Sequence, residues 1–512
     1  MMQEETGYSP EYVESLLSQL EDTLGQPDAW SRMTLDELVA VADTLVRLDV
    51  GSSALRLLGL IDELIISNCT PESVDAKNLS KLLNSYAHLG FVSGKLLEFL
   101  KRRKSLADME PCHLSGIMFS LGKLAPTDWD NEEASTHRVG GLGPLLQRLC
   151  IRCAEVIERF SPLEISTVVF ALSRLGHRNI RLLHAFSDLL ATRISDASPQ
   201  IISNTIYAMG KLGFKSHQLL DSVCQSIPSR LALFKPQELA NLVYAFGQLD
   251  YRNEPFLLLL ADHVPPRLPS FKPQELSITA YAFSQLRVAH PRMFAGIAIQ
   301  IARRIDECSP QAISNTIYAM SKLNFRHNGL LTSLALSLPA RLGELTPQHV
   351  SNIMYSFGKL NHRDDVLLEA ICSHVPARLW EFRPQNIANT VYATGKLGFL
   401  HEPLLAAVAA HLPFRLTECV SQDISNIVYS FGQLGYRNFE FFETIREHVT
   451  RVLVPRGMQQ KDMSYLMSAF RKVGIEMDEE ESLGTAQSTA RTESRNDTIL
   501  DSAALADLLS YL

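Results

Sequence analysis

The amino-acid sequence predicts an all-α protein, a right-handed α-solenoid (superhelix) of about twelve helix–turn–helix repeats with a 37-residue period. Three observations predict this fold. The stretch at residues 236–253 returns in related copies that are spaced 37 residues apart without insertion. Each copy has apolar residues at helical spacing, and residues that start and stop helices bound it. The eight copies begin at Pro162, Pro199, Pro236, Pro273, Pro310, Pro347, Pro384 and Ser421.

The first helix of each repeat, helix A, is predicted to start at the proline. Proline at the first helical position is favourable because the missing N–H would have no partner there. A phenylalanine two residues earlier, as at Phe234, Phe271 and Phe382, can pack against the fourth helical residue. The spacing of the apolar residues predicts a buried stripe, which in one repeat consists of Leu239, Leu242, Phe246 and Leu249.

Helix A is predicted to stop at a residue in the left-handed conformation, which favours glycine and asparagine. Those residues are Gly213, Gly398, Gly435, Asn324 and Asn361. Helix B follows, for example over residues 254–264, and is predicted to end at the Pro-x-Arg-Leu of residues 265–268, since a residue before proline avoids helical geometry. A pair of helices cannot bury both faces alone, so neighbouring repeats must stack.

Weaker copies at residues 38–50, 79–91, 114–126 and 463–475 extend the array. The predicted organisation is therefore a series of six segments. It comprises an acidic N-terminal segment (1–34), degenerate helical repeats (35–126), an acidic loop insertion (127–143), the regular array (144–475), a disordered acidic tail (476–500) and a short amphipathic C-terminal helix (501–512).

Composition and charge exclude several classes of protein. The eight scattered cysteines are typical of reduced thiols in a non-secretory compartment, and the absence of any long apolar run predicts no membrane span. The net charge of −8 is unevenly distributed, because residues 1–160 carry −9, residues 161–475 carry +8 and residues 476–512 carry −7. A basic array between acidic ends is compatible with an anionic ligand.

Three polar columns repeat with the period and are the candidate RNA-binding residues. On helix A, Asn241, Ala245 and Gln248 are predicted to share one face, so that stacking would place amides and cations in register. The asparagine column is Asn204, Asn241, Asn315, Asn352, Asn389 and Asn426, and the Lys/Gln column is Lys211, Gln248, Lys322, Lys359, Lys396 and Gln433. A third column at the end of helix B is Arg230, Arg267, Arg304, Arg341, Arg378 and Arg415.

Each column also has a structural interpretation. A repeated asparagine can bond the backbone of the next repeat, and an arginine near a helix C-terminus is stabilised by the exposed carbonyls. The alternative for the arginines is contact with successive phosphates. A column of tyrosines, from Tyr207 to Tyr429, favours packing between repeats over stacking on bases. The Lys/Gln column has the weakest structural explanation of these.

The motif SNTIYAMGKLGF, as it stands with small changes in each helix A, resembles the heptatricopeptide repeat, a relative of the octotricopeptide repeat and of FAST kinase-like proteins. The resemblance covers residues 163–475 strongly and 35–124 weakly. It implies RNA binding and RNA metabolism in mitochondria or plastids. Many members end in a RAP domain, which the sequence after Ile475 does not resemble, and the first residues do not resemble an Arg-rich transit peptide.

No catalytic, metal or cofactor motif is recognisable, so the prediction is a protein that is not an enzyme, without cofactor or metal. Cys150 and Cys153 form a lone CxxC within a helical pattern, which is typical of core packing. The leading hypothesis is a single-stranded RNA-binding repeat protein in organellar RNA processing, stability or ribosome assembly. The alternatives are an armadillo-like protein-binding scaffold and a structural ribosomal subunit contacting ribosomal RNA. Expected partners are RNA, and proteins at the acidic ends, with no membrane. A cytoplasmic location is the alternative to the mitochondrion or plastid.

Overall fold

The computed structural model describes residues 10–26, 28–48, 51–124, 141–455, 457 and 460–474. The chain forms two compact units, one within residues 1–249 and the other within residues 250–512. The acidic tail (476–500), the C-terminal helix (501–512) and nearly all of the loop insertion (127–143) predicted from sequence lie outside the described residues.

The described part of the first unit consists of helices and their connections. Its helices are α1 (Pro10–Leu24), α2 (Ala29–Arg32), α3 (Leu35–Leu48), α4 (Gly51–Asn68), α5 (Ala76–His88), α6 (Gly94–Arg102), α7 (Pro111–Leu124), α8 (Gly143–Glu155), α9 (Pro162–Arg174), α10 (Ile180–Thr192), α11 (Pro199–Lys211), α12 (His217–Ser226) and α13 (Pro236–Gln248).

The described part of the second unit continues the same alternation. Its helices are α14 (Glu254–His263), α15 (Pro273–Gln285), α16 (Pro291–Arg303), α17 (Pro310–Lys322), α18 (Asn328–Ser337), α19 (Pro347–Lys359), α20 (Asp365–His374), α21 (Pro384–Leu397), α22 (Glu402–His411), α23 (Ser421–Leu434), α24 (Phe439–His448) and α25 (Gln460–Val473). The odd-numbered helices from α3 to α25 are the A helices and the even-numbered ones from α4 to α24 are the B helices.

The predicted start and stop signals of helix A are confirmed. Proline occupies the first turn of the A helices in seven of the eight regular repeats, the exception being the helix that begins at Ser421. Ser198, Ser309 and Thr346 cap their helices with the side-chain oxygen. The predicted stop residues have positive φ, with 62° at Gly398 and 54° at Asn324. Asp250 and Arg287 adopt the same conformation without being glycine or asparagine, which the sequence did not indicate.

Helix B ends slightly earlier than predicted and is followed by a turn of 3₁₀-helix. In one repeat the α-helix ends at His263 and the 3₁₀ segment covers Pro265–Ser270. The Pro-x-Arg-Leu motif therefore lies within a short helix of its own. This segment places its arginine beside the preceding repeat.

The predicted core is confirmed. The stripe of helix A in α13 is buried, since Leu242 and Phe246 have no exposed surface and Leu239 has 2%. The phenylalanines before the helices are buried as well, with Phe234 at 0% and Phe382 at 1%. Removing apolar surface of this kind from water is the main stabilising term of such a stack.

The A helices of successive repeats approach each other closely within each unit. A Cβ atom placed on Gly358 would lie 3.0 Å from Cα of Ala393, and one on Gly395 would lie 2.8 Å from Cα of Ser430. Glycine at this position therefore allows backbone to meet backbone. The B helices of successive repeats have fewer contacts with each other. The A helices consequently form the tighter, inner layer of each unit.

No helix in the described ranges is long and apolar enough to cross a membrane. Within the same ranges there is no group of three or more histidine, cysteine or acidic side chains that could hold a metal ion. Cys150 and Cys153 are both buried in α8, as the sequence predicted for core residues. Burial raises the pKa of the Cys150 thiol to about 12.

Candidate nucleic-acid interface

The Lys/Gln column lies at the C-terminal end of the A helices and remains accessible. Lys359, Lys396 and Gln433 are exposed, whereas Lys211, Gln248 and Lys322 are half-buried. The last turn of each helix carries these side chains because the stop residue follows two positions later. A cation in the last turn also interacts favourably with the helix dipole. The column is thus the polar edge of the inner layer.

Local contacts orient several members of this column over tyrosine rings. The ammonium of Lys359 lies 5.7 Å from the centre of the Tyr355 ring, and that of Lys211 lies 5.4 Å from the Tyr207 ring. Lysine four residues after tyrosine falls on the same helix face. An ammonium over a ring is attracted by the electrons of the ring face, so the column pairs cations with aromatic groups.

Neighbouring repeats also connect through this column. Lys322 donates a hydrogen bond from Nζ to Oε1 of Gln285 in the preceding repeat, at 2.8 Å. Gln285 in turn donates from Nε2 to the hydroxyl of Tyr281, at 2.6 Å. A lysine and a glutamine at the same position therefore engage each other, which explains how the column tolerates both residue types.

The charge of this edge is not balanced by acidic residues of the same helices. The sequences of α17, α19 and α21 contain no aspartate or glutamate. In other A helices of the regular repeats the carboxylate lies in the first turn, where Glu275 accepts from the N–H of Lys272 at 2.8 Å. The first turn of a helix is where a carboxylate is favourable. The opposite end of the inner layer is left basic.

The asparagine column lies mostly inside the inner layer. Asn315, Asn352 and Asn389 have only 4%, 7% and 7% of their surface exposed, and Asn204, Asn241 and Asn426 are half-buried. The amide nitrogen of Asn315 has no hydrogen-bond acceptor in the described part of the chain. RNA contact by this column stays a prediction, since a ligand would have to reach between helices.

The face predicted for Ala245, beside Asn241 and Gln248 on the open side, is wrong. Ala245 is fully buried, and a Cβ on Gly210 of the preceding repeat would lie 3.2 Å from Cβ of Ala245. The A helices approach so closely that a position expected to face outward becomes part of the contact between repeats.

The arginine column is bound to the backbone of the preceding repeat. Arg341 donates from Nη2 to the carbonyl oxygen of Cys308 at 2.9 Å and from Nη1 to that of Ile305 at 3.1 Å. The same bond, to the carbonyl 33 residues earlier, spans 2.6–3.1 Å in six repeats. The donors are Arg193, Arg230, Arg304, Arg341, Arg378 and Arg415. We call them the arginine clamps.

Glutamates neutralise four of these clamps. Salt bridges of 2.7–2.8 Å join Arg304, Arg341, Arg378 and Arg415 to the glutamate three residues later. The carboxylate of Glu344 raises the pKa of Arg341, and the guanidinium lowers that of Glu344. Phosphate contact by the arginine column stays a prediction, because the structure engages these guanidinium groups with carbonyls and carboxylates.

Three arginines of the column also contact a histidine that lies one helical turn earlier. The ring nitrogen Nε2 lies 2.9 Å from Nη1 of the arginine in the pairs His263–Arg267 and His374–Arg378, and 3.3 Å in His411–Arg415. Burial is the main cause that lowers the pKa of these histidines, and the adjacent guanidinium lowers it further. Each ring is therefore held neutral, with Nε2 accepting from the arginine.

The sequence analysis missed a second set of arginines. Arg326 and Arg363, at the turn between helices A and B, donate to carbonyls at the end of the next A helix, with 3.1 Å from Arg326 to Asn361 and 3.0 Å from Arg363 to Gly398. Arg178 bonds Gly213 in the same way at 3.1 Å. The HRN, FRH and HRD triplets that follow helix A were the available signal.

The corresponding cations of the first unit also have partners. Arg174 donates from Nε to the carbonyl of Gly122 at 2.8 Å, and the ammonium of Lys123 lies 3.1 Å from Nδ1 of His88. Lys211 is half-buried, and burial lowers its pKa, with Arg174 adding a smaller effect. The accessible cations of this column are concentrated in the second unit.

The tyrosine column is buried as far as Tyr318 and half-buried from Tyr355 onward, and its predicted packing role is confirmed. Tyr207 and Tyr244 are buried with ring centres 6.0 Å apart. In the second unit the rings of Tyr355 and Tyr392, also 6.0 Å apart, are only half-buried. Rings that stack on one another between repeats can still present an edge to solvent where the inner layer is more open.

Comparison with known proteins identifies one matching family. The sequence model of the RNA-editing substrate-binding complex 8 protein family matches residues 145–453. No curated protein sequence matches the chain.

Several solved structures share helical architecture at low similarity. The pentatricopeptide repeat protein PPR10 from maize is 12% identical, with a TM-score of 0.31 over 94% of this chain and 80% of that one. Yeast Rmd9p in complex with a 16-nucleotide target RNA is 13% identical, with a TM-score of 0.32 over 90% and 85%. A homology model of the full-length AP-3 complex is 11% identical, with a TM-score of 0.28 over 85% and 86%. These likenesses do not bear on what the chain binds.

Proposed function

The chain belongs to the RNA-editing substrate-binding complex 8 protein family, and from this premise we propose that it binds single-stranded RNA and acts in RNA processing. The matched range, residues 145–453, includes nearly all of the regular repeats. The proposed binding surface is the Lys/Gln column with the adjoining tyrosine rings. A basic surface with aromatic side chains is the usual combination for binding single strands.

The observation that carries the proposal is a basic edge at the C-terminal end of the A helices. Lys322, Lys359 and Lys396 follow one another at the same position of helices that contain no carboxylate, and Lys359 and Lys396 are exposed. Such cations can contact successive phosphates, which gives affinity that depends on salt and little on sequence. The arginine clamps contribute the rigid spacing of the column.

We propose that the protein is not an enzyme and that its role is to hold an RNA strand. In support, the described residues contain no group of three or more histidine, cysteine or acidic side chains that could hold a metal ion. Chemistry on the bound strand would then be supplied by other proteins.

Binding to short single-stranded RNAs across a salt series tests the proposal. For a single strand the logarithm of the binding constant should fall linearly with the logarithm of the salt concentration, with a slope of about −0.7 for each phosphate contacted. Three or four contacts would give a slope of about −2 to −3. The same strand annealed to its complement should bind more weakly. A signal that is absent, or that does not depend on salt, would overturn the proposal.

A protein-binding scaffold is the second candidate, favoured by the acidic segments of the sequence and by its isoelectric point near 6.0. Dedicated nucleic-acid-binding domains are commonly more basic, with values above about 9. Purification of the protein with its partners, with and without nuclease, separates the two candidates. Partners that remain after RNA is destroyed would favour the scaffold.

We propose a mitochondrion or plastid as the compartment, on the strength of the resemblance to heptatricopeptide repeat proteins, and we keep that subtype itself as a proposal. Ribosomal RNA is a possible target within this class, because organellar RNA metabolism includes ribosome assembly in the resembling proteins. Imaging of the tagged full-length chain tests the compartment. Sequencing of RNA that crosslinks to the protein identifies the target.

A further inference from the structure

The last described A helix, α25, carries a residue of the Lys/Gln column that a strict 37-residue period does not identify. α25 covers Gln460–Val473 and stops at Gly474, whose φ is 84°. The preceding A helix, α23, stops at Gly435 with φ 69°. These stop residues are 39 positions apart, so the last repeat is two residues longer. Lys472, two positions before its stop residue, is therefore the counterpart of Gln433.

Packing of the last two A helices agrees with this alignment. A Cβ on Gly432 would lie 3.2 Å from Cα of Ala469. The same approach joins Gly395 to Ser430 one repeat earlier. The members of the first pair are 37 residues apart and those of the second pair are 35 apart, so the last repeat is again two residues longer. α25 consequently stacks on α23 as any other A helix does, and Lys472 belongs to the accessible edge.

Lys472 supplies a cation where α23 has none. Its ammonium lies 5.9 Å from the centre of the Tyr429 ring, a distance similar to the 5.7 Å between Lys359 and Tyr355. In the earlier repeat the lysine comes from the same helix as the ring. Here the helix of the ring has Gln433 at that position, and the ammonium arrives from the next helix.

Both groups have surface that a ligand can reach. Lys472 is exposed and the ring of Tyr429 is half-buried, whereas Tyr207, which has Lys211 over its ring, is only 7% exposed. A nucleotide of a single strand has an anionic phosphate and a flat base, and an ammonium beside an open ring can engage both. A paired base cannot present its face to such a ring, since that face is stacked within the duplex.

We propose that Lys472 and Tyr429 form the terminal nucleotide-binding site of the inner layer, in which the ammonium contacts a phosphate and the ring contacts an unpaired base. The proposal rests on the proposed RNA-binding function and adds Lys472, which lies beyond the matched family range that ends at residue 453. The site requires the two-residue insertion, because without it Lys472 would lie elsewhere on α25.

Binding of the full-length chain to short single-stranded RNAs of mixed sequence tests this site. Lys472→Gln should weaken binding about fourfold at 0.15 M salt and lower the salt slope by about 0.7, as for the loss of one phosphate contact. Arg471→Gln is the matched control, because Arg471 is an exposed neighbour with the same charge, and it should leave the slope almost unchanged. In the double variant Gln433→Lys/Lys472→Gln the cation returns from α23, and affinity should recover.

The ring is tested separately. Tyr429→Leu should weaken binding about tenfold for RNA and have little effect on an abasic strand of equal length, while Tyr429→Phe should retain the affinity. Equal slopes and affinities for Lys472→Gln and the unaltered chain would overturn this inference and leave the proposed function standing. Absence of RNA binding by the unaltered chain would overturn both.

Discussion

The arginine clamps and the Lys/Gln column both place cations at 37-residue intervals, and they differ in what lies within their reach. The clamps extend from the 3₁₀ segments or from the residue just before them, and they donate to carbonyl oxygens of the preceding repeat at 2.6–3.1 Å. The lysines extend from the ends of A helices that carry no carboxylate. Lys359 and Lys396 are exposed there, and the ammonium of Lys359 lies 5.7 Å from the centre of the Tyr355 ring.

This difference distinguishes charged groups that join the repeats from charged groups that can contact a ligand. A guanidinium has five donors in a fixed fork, so a clamp satisfies several acceptors at once and joins two repeats. An ammonium on a flexible stem is a poor clamp, but it can move to meet a phosphate. Two columns with the same period and the same sign of charge therefore serve different purposes.

The largest expected effect is on RNA binding by the lysines. Changing Lys322, Lys359 and Lys396 together to Glu removes three cations, and loss of three phosphate contacts weakens binding roughly 50-fold at 0.15 M salt and lowers the slope by about 2. Repulsion by the new carboxylates adds to the loss. Fluorescence anisotropy across a salt series measures both quantities.

Helical content by circular dichroism is measured in parallel, because an unfolded triple variant would show that the lysines are structural. The matched control changes Lys235, Lys272 and Arg383, which are exposed at the other end of the A helices, to Glu. A loss of affinity as large in this control would remove the distinction between the two ends of the inner layer.

A stability effect is expected from a clamp. Arg341→Ala leaves the carbonyls of Ile305 and Cys308 without their donors and Glu344 without its partner. Unmet acceptors of this kind cost about 3 kcal/mol of unfolding free energy. Urea denaturation measures the loss, and the salt slope of RNA binding should stay unchanged.

Arg341→Lys keeps the positive charge but loses the planar guanidinium with its fixed set of donors. This variant should therefore lose part of the unfolding free energy that the clamp contributes. The opposite pattern, a lower salt slope with unchanged stability in Arg341→Ala, would mean that the clamp column contacts phosphate.

The close approach of A helices gives a smaller effect. Gly395→Ala adds a Cβ 2.6 Å from Cβ of Ser430, which would push α21 from α23 and reduce the unfolding free energy by about 2 kcal/mol. The clamps are in another layer and should be retained. Gly59→Ala in α4, where a Cβ meets nothing within 4 Å, should instead stabilise by about 0.5–1 kcal/mol. Equal effects from the two variants would contradict the close packing of the A layer.

Much of the fold could be predicted because it depends on local signals. Proline at the start, glycine or asparagine at the stop and apolar spacing all act within one helix, so Gly398 and Asn324 were identified from sequence. The burial of Asn352 depends instead on how closely two A helices approach. Sequence periodicity aligns residues in register but does not give that distance, and so the open face was placed wrongly at Ala245.

The partners of the charged side chains could not be predicted from the sequence either. Arg341 reaches Cys308 across 33 residues, a pairing that depends on the 3₁₀ turn bringing the guanidinium to the preceding repeat. Lys472 is not among the predicted candidates because they come from the regular copies, and it lies in the weaker copy at residues 463–475, which a strict period of 37 does not reach. Aligning the repeats on their stop residues, Gly435 and Gly474, would have recovered it.

The smallest expected effect concerns the pH dependence of the clamps. His374 and His411 accept from Arg378 and Arg415 in their neutral form, and burial, followed by the adjacent arginine, lowers their pKa below the ordinary 6.5. The unfolded chain therefore binds these protons at higher pH than the folded chain does. Their contribution to stability is complete above pH 6.5 and is lost as the pH falls below it.

Urea midpoints at pH 7.5 and 5.5 measure this effect as a difference between variants, since other histidines also titrate in the window. His374→Gln/His411→Gln keeps an acceptor for each arginine and removes the titration, so its midpoint should fall less on acidification than that of the unaltered chain. Changing Lys359 and Lys396 should not change the pH dependence, because the histidines on which it depends lie beside Arg378 and Arg415. An equal fall in both chains would show that protonation leaves the clamps intact and that neutral histidine is not needed to hold the arginine.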